Sequence, residues 1–140
     1  MAKNKNIKKP RLRDTSHIQI KEEPPDHGKL NPIFSFYHMR YGTTYCLSKC
    51  CPADKSDLAT LLLRLSQRTW NDISSTYRKS FGFEHIPIKQ FNATVFPDIV
   101  TPDVKTLLVF SYSHGGRMAG IQQKDVFHIL LTGDDLYPHK

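Results

Sequence analysis

The sequence predicts an α+β fold: one strand, two helices, then a three-stranded antiparallel meander with the helices packed on one face. Three observations carry this. A leucine-rich run places its apolar residues at helical spacing, the last third of the chain alternates β-rich runs with turn residues, and the helical region precedes those runs. At 140 residues the chain suits a single domain, expected over residues 31–140, preceded by a tail.

Residues 1–30 are that tail. Lys3, Lys5, Lys8, Lys9, Arg11 and Arg13 repel one another, and KEEPPDHGK follows with two prolines and mixed charge. Too little apolar surface is present to offset the entropy of ordering, so the tail is expected to be disordered. NPIFSFYHMRYGTTYCL begins the domain. Ile33, Phe34, Phe36, Tyr37, Met39, Tyr41 and Tyr45 make it β-prone, and Gly42 interrupts it. PADKSDLATLLLRLSQRTW is the clearest helix: Pro52 opens it, Asp54 and Asp57 follow at its start, and Leu58, Leu61, Leu62 and Leu65 recur on one face.

TWNDISSTYRKSFGFEHIP predicts a second, shorter helix, capped by Thr69 or Asn71, with Trp70, Ile73 and Tyr77 on one face and Gly82 at its end. IKQFNATVFPDIVTPDV holds two X-Pro units and reads as a loop that lays Phe91, Val95 and Phe96 on the core. The meander strands are expected over 105–112, 117–122 and 126–131. His114-Gly115-Gly116 offers positive φ for the first hairpin, and Lys124-Asp125 makes the second turn. VFHILL suits a central strand covered on both faces, with His128 as the exception.

The formal net charge of +7 favours an anionic partner: nucleic acid, an acidic protein or a membrane surface. No apolar run approaches the ~18 residues that span a bilayer, and the basic N-terminus lacks the apolar core of a secretory signal. A cytoplasmic protein with no membrane partner is expected. The three cysteines, Cys46, Cys50 and Cys51, all lie in CLSKCC. Their odd number and clustering argue against a disulfide framework, and zinc would need a distant fourth ligand such as His38. Packed thiols and no metal are expected. With no phosphate-cradling glycine loop, nucleophile elbow, HExxH or EF-hand loop in the sequence, no cofactor is expected either.

What remains is a set of basic, aromatic and imidazole side chains. One reaction needs little else: cleavage of RNA by its own 2′-hydroxyl, for which a protein must orient the phosphate, move two protons and stabilise charge. The closing runs LLVFSYSHGGRMAG, VFHILL and LYPHK, together with the order β-α-α-β-β-β and the basic charge, resemble the RelE/ParE-type toxins of bacterial toxin–antitoxin systems over roughly residues 33–140. The resemblance implies either a ribosome-dependent, metal-independent messenger-RNA endonuclease (RelE-like) or a gyrase inhibitor (ParE-like). It also implies RNA or the ribosome as target and an acidic antitoxin-like protein as partner.

Within that reading Arg117, just after the double glycine, is the candidate phosphate clamp, weighed against an ordinary strand-edge arginine. His128, His139, Glu84 and Tyr137 are the candidates for proton transfer, and Tyr77, Arg78, Lys79, Lys8, Lys9, Arg11 and Arg13 for holding nucleic acid. The catalytic expectation requires Arg117, His128 and the Tyr137–His139 end to converge. The competing expectation is a non-catalytic basic module that binds nucleic acid or an acidic protein.

Overall fold

The computed structural model describes residues 26–81 and 83–138, the side chains of 77–81 excepted. The protein is α+β, with two helices and a five-stranded mixed sheet. In chain order these are β1 (Ile33–Ser35), α1 (Pro52–Ser66), α2 (Trp70–Phe81), β2 (Glu84–Pro87), β3 (Thr106–Ser111), β4 (Arg117–Gln123) and β5 (Val126–Gly133). The sheet order is β1-β5-β4-β3-β2, with β1 parallel to β5 and the other pairings antiparallel. Chain segment 1–25, and with it the expected disorder, lies outside the described residues.

The expected single strand and three-stranded meander are thus corrected to one sheet of five strands. β2 follows Gly82, the expected end of the second helix, in a stretch where no strand is expected. It forms because Glu84–Pro87 pairs along the free edge of β3, from Glu84 opposite Val109 to Pro87 opposite Thr106. Pro87 ends an edge strand, where its missing N–H costs no ladder bond. β1 is shorter than its aromatic content suggests. After Ser35 the chain turns, with Met39 N–H donating to Phe36 O at 3.0 Å, and the segment over 36–51 crosses the end of β5, where Thr132 N–H donates to Tyr45 O at 2.9 Å.

Two apolar layers sandwich the sheet. Leu58, Leu61 and Leu65 of α1 and Trp70 and Ile73 of α2 cluster with Leu108, Phe110, Met118, Phe127 and Ile129. On the other face Leu107, Val109, Ala119, Leu130 and Leu131 pack against Ile86, Phe91, Leu136 and Tyr137. A bulge at Ala119/Gly120 lets Leu130 and Leu131 join the second layer together. Of the loop residues expected on the core, Phe91 is buried and Phe96 half-buried, whereas Val95 is 67% exposed. The chain turns outward there, between the buried Phe91 and the buried Pro97.

The first-hairpin expectation also changes. Lys124, Gly42 and Gly133 take positive φ, but Gly115 and Gly116 do not. Gly116 is needed for space instead: a Cβ there would run into the ring of Tyr112, whose N–H donates to Gly116 O. Helix α2 opens on a reciprocal cap, Asp72 N–H to Thr69 Oγ1 at 3.1 Å and Thr69 N–H to Asp72 Oδ2 at 3.4 Å. The indole of Trp70 donates to Asp125 O at 3.1 Å and so ties α2 to the β4–β5 turn.

Candidate functional site

The predicted residues separate into two groups at opposite ends of the sheet. Arg117 begins β4 opposite Gly133, while His128 lies opposite Ile121. Gly133 and His128 are five steps apart along β5, roughly 16 Å at the rise of a strand. The required convergence of Arg117 with His128 does not occur. His139, Lys8, Lys9, Arg11, Arg13 and the side chains of Tyr77, Arg78 and Lys79 lie outside the described residues.

At the first end Arg117 and Tyr137 come together, within reach of the charge of Glu84. The Arg117 Nη1 donates to three carbonyls of its own hairpin, Ser113 O and His114 O at 3.2 Å and Gly116 O at 3.0 Å. Its Nε is buried without a hydrogen-bond partner. Tyr137 is 7% exposed and packs edge-on to Phe91, ring centres 5.4 Å apart. Burial raises its phenol above the ordinary value; a hydrogen bond to Arg117 and the charge of that guanidinium oppose the rise, and Glu84 adds to it. Tyr137 is therefore a neutral hydroxyl at physiological pH. The arginine fork is turned onto the hairpin backbone, so the arrangement braces the turn and seats the C-terminal segment.

At the second end, three rings contact one another in series beside β1 and β5. Tyr37 meets His38 edge-on at 4.9 Å, and His38 meets His128 at 5.1 Å. His128 Nε2 hydrogen-bonds Gln123 Oε1 at 3.1 Å, while its Nδ1 is buried without a partner. Burial first, and then the neighbouring His38, hold the His128 imidazole below its ordinary value, so it is neutral at pH 7. An open cavity of about 620 Å³ adjoins it, lined by Gln123, Lys124, Asp125, Val126 and His128. Tyr37 is 85% exposed and Tyr41 88% exposed. This end can offer π-faces to planar ligands, an imidazole pair for proton exchange and an ammonium group.

His38, Tyr37, Tyr41 and Gln123 had no place in the predicted site. FSFYHMRY reads as apolar strand, yet Phe34 packs with the helix-side core while Tyr37 is open to solvent. Tyr37 lies past the end of β1, in the turn after Ser35, where strand alternation does not set side-chain direction. The thiols also differ from expectation: Cys46 is buried, Cys50 half-buried and Cys51 exposed. Cys51 precedes Pro52 at the start of α1, where a helix end meets solvent. Among the described residues no three His, Cys, Asp or Glu side chains are grouped to hold a metal ion, and no helix is long and apolar enough to cross a membrane.

The fold and this edge define an α+β protein displaying an aromatic and imidazole surface beside a mixed sheet. No family model, curated protein or solved structure matches the chain.

Proposed function

We propose that the protein is a single-stranded RNA-binding module, with the β1 edge as its base-stacking surface and the N-terminal segment as its phosphate-binding arm. The carrying observation is the exposure of Tyr37, 85%, in ring-to-ring contact with the His38–His128 pair. Unstacked bases bind tyrosine and histidine rings by stacking, which a duplex does not permit. The charge supports the division of labour. Residues 1–25 hold seven Lys and Arg against three Asp and Glu, a surplus of four, and the rest of the chain holds thirteen against ten. Phosphate attraction is thus concentrated in the arm and base contact in the domain.

The test is fluorescence anisotropy with a labelled single-stranded RNA and its duplex form. Tyr37→Ala is expected to weaken binding to the single strand by about 5- to 100-fold, and removal of residues 1–25 to flatten the salt dependence. Equal affinity for single strand and duplex, with no effect of Tyr37→Ala, would refute the stacking surface.

A second reading, the toxin-like metal-independent ribonuclease, is favoured by the imidazole pair. In it the 2′-oxygen attacks phosphorus and the bond to the 5′-oxygen breaks. One imidazole of the His38–His128 pair takes up the 2′-hydroxyl proton, and the other gives a proton to the departing 5′-oxygen. The products are a 2′,3′-cyclic phosphate and a 5′-hydroxyl. This reading places the protein in the cytoplasm, acting on RNA or the ribosome and restrained by an acidic antitoxin-like protein. Incubation with single-stranded RNA should give cyclic-phosphate ends with the wild type and none with His38→Ala. Intact RNA with both proteins leaves the binding module as the function.

A further inference from the structure

The segment that presents Tyr37 and His38 also walls a second cavity. Phe36, Met39 and Tyr41, from the same six residues, enclose with Leu47 an apolar space of about 440 Å³, within the size range of small-ligand sites. One wall is Met39, whose sulfur accepts a hydrogen bond from Leu47 N–H at 3.3 Å and is thereby held in place. At one point the lining is polar: Cys46 Sγ and Ser48 Oγ, 3.2 Å apart and bonded to each other. Tyr41 is 88% and Phe36 37% exposed, so two aromatic rings form the rim instead of joining the core. Lys55, which lines the cavity, and nearby Lys49 are exposed cations.

We propose that this cavity is a nucleobase subsite for single-stranded RNA, taking one unstacked base between Tyr41, Phe36 and Met39 with its phosphate against Lys55. The inference rests on the RNA-binding reading and deepens it. Flat apolar walls favour a planar ring, and rings with a polarisable thioether give close contact to a π-face. The lysines argue for an anionic group attached to that ring, which a lipid tail or an apolar protein side chain does not carry. The cavity and the Tyr37–His38–His128 series both draw on one short segment, residues 36–41. Successive bases of a strand can therefore reach both.

Two measurements test the subsite. Met39 and Met118 are the methionines of the described chain, and Met118 is fully buried. With methyl-labelled methionine, adenosine 5′-monophosphate should shift the Met39 methyl resonance through the ring current of the base, while ribose 5-phosphate should not. Met118 should stay still with both. Tyr41→Ala, at an exposed position that the core does not need, should abolish the Met39 shift. It should also weaken RNA binding by about 5- to 100-fold without altering binding of an abasic strand of equal length. A Met39 resonance that ignores the nucleotide, or that moves equally with ribose 5-phosphate, overturns the subsite. If RNA still binds in that case, only the subsite falls. If RNA does not bind yet the nucleotide shifts Met39, the RNA-binding reading falls and the cavity remains a nucleotide site.

Discussion

Arg117 and His128 show how neighbours decide the work of a side chain. A guanidinium beside a glycine turn has the fork geometry for phosphate, yet here one nitrogen serves three carbonyls of residues 113–116. Arg117→Ala is expected to lower stability by about 1–3 kcal/mol, since it leaves those carbonyls short of a charged donor. Lysine should restore part of it, because all three bonds come from one nitrogen and an ammonium group carries three N–H donors. RNA affinity should be unchanged, which separates the bracing role from a phosphate clamp. His128 carries a pH prediction. Its imidazole is depressed in the folded state by burial and by His38. As pH falls, the unfolded chain takes up that proton first, so this part of the stability is intact above the ordinary value of about 6.5 and is lost below it. The thermal midpoint should fall on acidification through that value, and less so in His128→Gln. In an NMR titration His38→Ala should move the His128 midpoint upward.

Among the elements, β4 has little freedom at Gly120. A Cβ at Gly120 would collide with the His128 carbonyl across the bulge, and backbone cannot swing aside as a side chain can. Gly120→Ala should therefore abolish cooperative unfolding or shift the β4–β5 register, visible as lost amide protection in both strands. Beside the Phe91–Tyr137 contact, Asn92 hydrogen-bonds the loop over 88–104 to the C-terminal segment: its N–H donates to Leu136 O at 2.7 Å, and its side-chain amide donates to Asp135 O at 2.8 Å. Asn92→Ala removes the second of these hydrogen bonds. It should cost about 1 kcal/mol and speed proteolysis after Gly133, leaving the helices protected. In α2, Thr69→Ala removes the cap to Asp72 and should cost about 1 kcal/mol by thermal unfolding.

For the molecule as a whole, periodicity and turn chemistry carried much of the architecture. The leucines of α1, the Thr69 cap, the approximate spans of β3 to β5 and the turn at Lys124 follow from local spacing, which a single segment encodes by itself. The shortness of β1 and the presence of β2 do not. Both depend on which edge of the sheet is free to pair, and EHIP is too short for its own periodicity to outweigh the helical run before it. The site was legible only in its residue types. That Arg117 and His128 occupy different ends is a matter of register between β4 and β5, and that His38 meets His128 depends on a parallel pairing across more than ninety residues of chain. The sequence by itself determined the helices, the turns, the charge-rich arm and the supply of aromatic and imidazole groups, because these follow from local sterics and composition. Only the tertiary structure decided which of those groups meet and which rings stay open to solvent, because long-range strand pairing sets both.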